Sequence, residues 1–268
     1  MTIDEPGKQI FGRREVLKSI AGAAAVLPMA RGNTAMPFSG AGNRGGRLKV
    51  VVAGAHPDDP ESGCGGTMAR YADLGHKVFA LYLTRGEAGI EGKSNEEAAR
   101  IRTAEVEKAC RILGVQPLFA GQIDGATVVS NDRYDDFRRI LESLAPDVVF
   151  THWPIDTHRD HRATSLLVFD TWLKTGNAFA LYYFEVMTGQ QTSQFCPTDY
   201  VDITATEPRK RAACYAHVSQ NPQGFYDVHD KMNHFRGMEA GCNLAEAFIR
   251  HVQDHSVPLP DLTPGVSG

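Results

Sequence analysis

Cysteine is scarce in this chain, and its arrangement argues against cross-linking or metal binding by thiols. The five cysteines among 268 residues are scattered, and no two of them form a CxxC pair. They are Cys64, Cys110, Cys196, Cys214 and Cys242. Cysteine zinc sites and disulfide frameworks need matched spacings and an even count, so neither is supported here.

An excess of positive charge is also missing. Lys and Arg number 28 against 32 Asp and Glu, which gives a formal net charge of −4. Proteins that bind nucleic acid depend on basic patches, whereas the basic residues here form only short clusters such as Arg138-Arg139. A nucleic-acid partner is therefore not expected.

The chain lacks a long apolar run as well. The apolar stretch at residues 19–30 is rich in Ala and Gly and contains a Pro. A helix that crosses a bilayer needs about 20 predominantly apolar residues. We therefore expect no stable membrane span.

The same stretch resembles part of a bacterial twin-arginine export signal. Arg13 and Arg14 precede the mild apolar run, in the order that such signals have. We expect residues 1–35 to be a signal peptide, residues 36–47 to be a flexible linker, and the protein to be exported to the periplasm or out of the cell. The alternative is a cytoplasmic protein with an N-terminal extension.

Beyond the linker, strand-like and helix-like segments alternate. Residues 48–53 form a nearly continuous β-branched run, which is typical of a strand buried on both faces. The alternation predicts a three-layer, Rossmann-like α/β domain around a mostly parallel sheet, over residues 48–256, with a Pro- and Gly-rich tail at 257–268. The other predicted strands are 77–84, 116–121, 147–151 and 180–186, and the predicted helices are 66–74, 95–113, 132–144 and 160–174.

A charged segment follows the first predicted strand, and it contains His56 and the adjacent carboxylates Asp58 and Asp59. Adjacent carboxylates repel each other unless a cation or a proton lies between them. In an irregular turn the two can point in different directions, so that one binds a metal ion and the other accepts a proton. The alternative is that they cap the following helix.

A second charged segment, residues 157–163, follows the predicted strand 147–151 and contains His158, Asp160 and His161. A polar loop with a capping Asp160 would explain the aspartate but not the histidines on either side of it. Sites in such sheets form at the carboxyl ends of the strands. Together the two segments offer imidazole and carboxylate ligands for one divalent metal ion, with groups to spare for acid–base chemistry. A hydrolytic metal site is the leading hypothesis.

The two segments resemble the signature motifs of the PIG-L/LmbE family of zinc-dependent N-deacetylases. The resemblance covers residues 48–251 and includes residues 84–89, which are similar to the family's TxGExG segment, and a predicted helix at 241–248. Two departures are Arg159, which stands where the family commonly has Pro, and the inserted Pro60.

The resemblance implies a role for each charged residue. His56, Asp59 and His161 would bind zinc, Asp58 would be the general base, and His158 would be the acid or the partner of the oxyanion. Two imidazoles and a carboxylate leave an open metal position for water, as catalytic zinc sites do. The same ligands also suit Fe²⁺.

Further residues near the two motifs are weaker candidates. Asp160 is a candidate catalytic residue as a partner that orients His158, with helix capping as the alternative. Arg85, Glu87 and Asp156 are candidate substrate contacts. Solvation at the surface is the alternative for Arg85 and Glu87, and helix capping is the alternative for Asp156.

We therefore expect a metal-dependent hydrolase that removes an acyl group, usually acetyl, from a small-molecule amino sugar or glycoconjugate. A homo-oligomer is one option for its assembly. One alternative is an amidase for a conjugate or secondary metabolite on the same metal site. Another is a non-catalytic sugar- or metal-binding protein, although such a protein has no need of a free base and acid at Asp58 and His158. A nucleotide-binding oxidoreductase is disfavoured, because the GxGxxG fingerprint is missing.

Overall fold

The computed structural model describes residues 46–251, which form a seven-stranded sheet with helices packed against it. The predicted signal peptide, the tail and nearly all of the linker lie outside these residues. The strands are β1 (Lys49–Gly54), β2 (Lys77–Tyr82), β3 (Gln116–Phe119), β4 (Val148–His152), β5 (Ala180–Phe184), β6 (Asp199–Asp202) and β7 (Ala245–Arg250). The helices are α1 (Asp59–Asp73), α2 (Asn95–Leu113), α3 (Asn131–Leu144), α4 (Arg159–Lys174), α5 (Glu207–Cys214) and α6 (Pro222–Ala240), with a 3-10 helix at Val218–Gln220.

The sheet has the strand order β3-β2-β1-β4-β5-β7-β6, and the first five strands in this order are parallel. Side chains of β1 alternate between two cores, because successive residues of a strand point to opposite faces. Val50 and Val52 pack in one core with α1 and α2, whereas Val51 and Ala53 pack in the other with α3 and α4. The predicted α/β fold around a mostly parallel sheet is confirmed.

Two predicted elements differ from the structure. The predicted helix at 241–248 is wrong, because this segment is a turn that leads into β7, which pairs antiparallel with both β5 and β6. Helix α1 begins at Asp59 and not at residue 66. Gly63, Gly65 and Gly66 lie within this helix and allow close packing, since a Cβ on Gly63 would lie 2.5 Å from the ring of Phe184.

The sheet places the two charged segments side by side. β1 and β4 are parallel neighbours, with Ala53 opposite Thr151, so their carboxyl ends lie at the same edge. The chain runs from β1 outward to β2 and β3 on one side, and from β4 to β5 on the other. This reversal is a topological switch point, where open α/β sheets form a crevice for ligands.

Among residues 46–251, no helix has both the length and the apolar character needed to cross a membrane.

Candidate metal centre

The first charged segment forms a turn that aims two carboxylates in different directions. Asp58 is the N-cap of α1 with a φ of 107°, a conformation that non-glycine residues rarely adopt outside functional sites. Oδ2 of Asp59 accepts the N–H of Ala55 at 3.1 Å and that of His56 at 2.7 Å. The other oxygen, Oδ1, lies 3.4 Å from Nε2 of His161.

His161 lies in the first turn of α4 and is oriented by Asp156. Its Nδ1 lies 3.2 Å from Oδ1 of Asp156, and the same oxygen accepts the N–H of His158 at 2.7 Å. Burial would lower the pKa of His161, but Asp59 and Asp156 raise it to about 9. A carboxylate on one ring nitrogen turns the other toward a metal. The structure therefore places Asp156, a candidate substrate contact, behind a predicted ligand.

Asp160 contacts His56. Its carboxylate is fully buried, with Oδ2 3.4 Å from Nε2 of His56. Oδ2 also accepts the N–H of Gly125 at 3.0 Å, and Oδ1 accepts the hydroxyl of Thr127. Burial would raise the pKa of Asp160, but the hydrogen bonds from His56 and Thr127 hold it well below its usual range. The sequence had suggested that this carboxylate pairs with His158. It does not, because α4 directs it under His56.

His158 is the N-cap of α4, because its Nδ1 accepts the N–H of Asp160 at 3.3 Å. In the neutral ring the hydrogen is therefore on Nε2. The ring centroid lies 4.5 Å from that of His56 and 4.7 Å from that of His161. Burial and these two imidazoles lower the pKa of His158. A neutral imidazole thus faces two of the predicted ligands.

Asp58 is held by an arginine and not by the predicted ligands. Nη2 of Arg102 lies 3.1 Å from Oδ2 of Asp58 and also donates to the carbonyl of Pro57. Burial raises the pKa of the Asp58 carboxyl to about 6, although the charge of Arg102 opposes this rise. A carboxyl group of this kind is suited to exchange protons near neutral pH.

Three groups of side chains have the spacing of a shared metal site. The groups are His56, His158 and His161, then Asp59, His152 and His161, and finally His56, Asp124 and Asp160. The three predicted ligands are divided between these groups, and Oδ2 of Asp59 lies 3.2 Å from Nδ1 of His56. Imidazole and carboxylate donors in a buried site fit Zn²⁺ and also Fe²⁺.

The candidate ligands open into a cavity of about 740 Å³. Asp58 and His158 line it together with His56, Asp59 and His161. Its other walls are formed by residues that follow β2, β3 and β5 and by α6. They include Ala88, Gly89, Asp124, Val186, Met187, Phe225 and His229. A space of this size accommodates a small-molecule ligand.

The family profile described as "PIG-L: GlcNAc-PI de-N-acetylase" matches residues 51–172, which contain both charged segments. Residues 51–172 form a PIG-L domain. The 35% identical match to the "Uncharacterized deacetylase YaiS" of Escherichia coli covers 44% of this chain and 64% of that protein. This chain therefore matches less than two thirds of that relative's length.

Two further similarities cover more of this chain. The diacetylchitobiose deacetylase of Thermococcus kodakarensis is 26% identical over 80% of this chain and 71% of its own length. The structure of N,N'-diacetylchitobiose deacetylase from Pyrococcus horikoshii, solved with its inhibitor MPG, has a TM-score of 0.66 at 27% identity. That structural match covers 76% of this chain and 84% of the other.

None of the three predicted substrate contacts lines the cavity, since Asp156 lies behind His161 and the other two are farther away. Arg85 is exposed, lies over the ring of Phe119 and lines a separate groove against α2. Oε2 of Glu87 accepts the N–H groups of Arg85 and Asp124. Glu87 therefore joins two loops, and neither residue faces the candidate ligands.

Sequence reasoning assigned no role at the metal site to two residues that lie there. Oδ1 of Asp124 lies 3.3 Å from Nε2 of His56, and Nε2 of His152 lies 3.2 Å from Oδ2 of Asp59. Both follow the rule that sites form at the carboxyl ends of parallel strands, since His152 ends β4 and Asp124 follows β3. Their positions relative to the strand ends were the available signal.

Proposed function

We propose that this chain is a metal-dependent hydrolase that removes an N-acyl group, most simply acetyl, from an amino sugar or a glycoconjugate that contains one. One observation carries the proposal. Asp58, a carboxylate paired with Arg102, and His158, a neutral imidazole, share a cavity with the three candidate ligands. A protein that only binds sugar or metal has no need of both groups.

We assign the metal to His56, Asp59 and His161, and we propose zinc, with Fe²⁺ as the alternative on the same donors. A bound zinc ion supplies Lewis acidity, which polarises a carbonyl and lowers the pKa of water from ~15.7 to about 7. Asp156 and Asp160 support this assignment, because each contacts the ring nitrogen of a ligand histidine. Carboxylates in such positions fix the tautomer and raise the basicity of the ligand.

Asp58 is the proposed general base. Its Oδ2 is paired with Arg102, which favours the ionised form. The carboxylate can accept a proton from the attacking water and deliver it to the leaving amine, which needs a proton at neutral pH. Burial, which raises the pKa of the Asp58 carboxyl, makes both steps accessible to one group.

His158 is the proposed partner of the oxyanion. Its Nδ1 is occupied by the backbone N–H of Asp160, so Nε2–H is the donor that remains for a substrate oxygen. A fixed donor aimed at the place where negative charge develops lowers the barrier without reorganisation. This geometry favours hydrogen-bond donation over the alternative role of proton donor.

The names of the relatives support the substrate class. The Thermococcus and Pyrococcus proteins are diacetylchitobiose deacetylases, and the matching family profile is described as a GlcNAc-PI de-N-acetylase. We propose N-acetylglucosamine units as the first substrates to test, and a conjugate amide as the alternative on the same metal site.

The test couples metal analysis to product detection. We expect the purified protein to contain about one divalent ion per chain and to release acetate from at least one N-acetylated sugar. Removal of the metal by a chelator should abolish release, and added Zn²⁺ or Fe²⁺ should restore it. A metal-loaded protein that releases acid only from amides other than N-acetyl sugars would replace the deacetylase by an amidase, and a protein that binds no divalent ion would refute the proposal.

A further inference from the structure

His152 is a buried histidine at the end of β4 that the proposed mechanism does not use. Its side chain is fully buried. It lies behind two of the candidate ligands, with Nε2 3.2 Å from Oδ2 of Asp59 and its ring parallel to that of His161, at a centroid distance of 4.0 Å and an angle of 9°. A polar ring in this position needs an explanation, since burial of an imidazole costs free energy unless it is hydrogen-bonded.

Three donors, and Nδ1 of His56 at 3.2 Å, surround one oxygen of Asp59. Oδ2 accepts the N–H groups of Ala55 and His56 and lies within hydrogen-bond distance of Nε2 of His152. The two backbone donors belong to the same turn as Asp59, whereas His152 comes from the neighbouring strand. With Oδ2 occupied in this way, Oδ1 is the oxygen that faces His161.

The surroundings of the ring decide where its hydrogen lies. Among the described residues, Nδ1 of His152 has no hydrogen-bond partner. A hydrogen on Nδ1 would be a buried unpaired donor, and the lone pair of Nε2 would then face a carboxylate oxygen. A hydrogen on Nε2 leaves only a lone pair unpaired and gives Asp59 a donor, which costs less. The N atom of Ala55 lies 3.1 Å from both Nε2 of His152 and Oδ2 of Asp59. With a hydrogen on Nε2, the N–H of Ala55 donates to Asp59.

We propose that His152 is a positioning residue that holds the carboxylate of Asp59 and the ring of His161 in the orientation that binds the metal. The inference rests on the proposed function, because it takes both residues to be ligands. Donation from Nε2 fixes the rotamer of Asp59, and parallel stacking fixes the plane of the His161 ring. His152 thus acts on the metal through two ligands without being one.

The test compares His152→Leu with His152→Gln, which are similar in size. Gln carries an amide N–H near the position of Nε2, whereas Leu carries no donor. We expect His152→Leu to raise the Kd for zinc by about 10- to 100-fold, as the loss of a partner of a metal ligand does. His152→Gln should recover most of that loss. Kd is measured on the full chain by competition with a fluorescent zinc chelator, and thermal melting of the metal-free proteins reports their folding.

His251→Leu is the matched control, because this ring packs against Trp172 and lies beside the beginning of β5, away from the site. It should bind zinc as the wild type does. An unchanged Kd in folded His152→Leu would overturn the inference, and equal losses in the Leu and Gln variants would show that packing and not donation matters. If the wild type itself binds no zinc, the proposed function fails and not this inference alone.

A measurement on the wild-type protein covers the case in which His152→Leu does not fold. Long-range ¹H–¹⁵N spectra of the histidine rings distinguish the two neutral tautomers. We expect His152 to carry its hydrogen on Nε2 in the metal-free and in the zinc-loaded protein. A hydrogen on Nδ1 would leave no donor for Asp59 and would overturn the inference.

Discussion

Neighbouring residues of the same type have different partners at this site, because the backbone conformation directs their side chains differently. Asp58, in the left-handed region, directs its carboxylate toward Arg102, whereas Asp59, the first residue of α1, directs its own toward His161. His158 and His161 differ in the same way, since one caps α4 through Nδ1 and the other is held through Nδ1 by Asp156. Each pair therefore divides into a proposed ligand and a group left for the reaction.

Asp58→Asn should keep the metal and lose most of its turnover. The amide preserves the shape of the side chain but cannot accept the proton of water, and general-base catalysis contributes about 10²- to 10⁴-fold. The measurement is kcat together with metal content. Asp135→Asn, on the exposed face of α3, is the control. A metal-loaded Asp58→Asn protein with the kcat of the wild type would exclude Asp58 from the mechanism.

His158→Asn and His158→Ala should separate capping from catalysis. Both lack Nε2–H, so we expect kcat to fall by at least ~10²-fold in each, the effect of removing one oxyanion donor. Asn can still accept the N–H of Asp160, whereas Ala cannot, and a lost cap costs about 1 kcal/mol. Kinetics of the metal-loaded proteins and their urea unfolding test both parts. If kcat falls only in the Ala variant, His158 is a cap and nothing more.

At the scale of the element, α1 connects the site to other segments on one face of the sheet. It begins with the ligand Asp59 and continues through three glycines, Gly63, Gly65 and Gly66. Each lies against a side chain of another element, and a Cβ on Gly66 would come within 2.5 Å of Ile203. Glycine lowers the stability of a helix. Its use here allows α1 to pack closely against its neighbours, and this packing sets the position of the first residue of the helix, Asp59.

Gly66→Ala should therefore destabilise the fold. Alanine favours a helix over glycine by about 0.5–1 kcal/mol, but overpacking typically costs about 1–3 kcal/mol, and Ile203 meets the new Cβ with its own Cβ at 2.6 Å. Urea unfolding gives the difference in the free energy of unfolding. Gly224→Ala is the matched control in α6, where the new Cβ would meet only the side chain of Asn221, and it should be neutral or stabilising. A Gly66→Ala protein as stable as Gly224→Ala would contradict this account of α1.

At the scale of the whole molecule, the sheet brings together residues that are about a hundred positions apart in the chain. β2 and β3 lie on one side of β1 in the sheet. β1 and β4 are neighbours only because the chain returns after β3 and places β4 on the other side of β1. The second half of the chain then closes the cavity, because α6 contributes Phe225 and His229 to its wall. A metal site assembled from distant segments requires a folded chain.

We propose that the protein is exported in a folded state, directed by Arg13 and Arg14, since a folded route allows the metal to be loaded before transport. Changing both to Lys should leave the full chain in the cytoplasm, as measured by cell fractionation. Changing Arg138 and Arg139 to Lys should leave export unchanged, because the first is half-buried and the second exposed on α3, away from the N-terminal segment in sequence. Unaltered fractionation of the first variant would mean that residues 1–35 are only an extension.

The sequence by itself determined the fold class and the two segments of the site. Apolar β-branched runs that alternate with helical periods can be accommodated only by a sheet covered on both faces, and charged residues at strand ends must lie at the edge of that sheet. Within these segments, the resemblance to the PIG-L/LmbE family implied His56, Asp59 and His161 as the candidate ligands. Strand β7 could not be predicted from the sequence, because the order of its polar and apolar residues fits a helix as well as a strand.

Only the tertiary structure decided which partner each charged group has. Asp160 and His158 are close in the chain, yet the Asp160 carboxylate contacts His56 because α4 turns it beneath the first segment. Arg102 reaches Asp58 from α2, and His152 reaches Asp59 from β4. A hydrogen bond requires its two atoms to lie about 3 Å apart. When strands far apart in the chain lie side by side, the separation of two residues in the sequence does not show whether they meet this requirement.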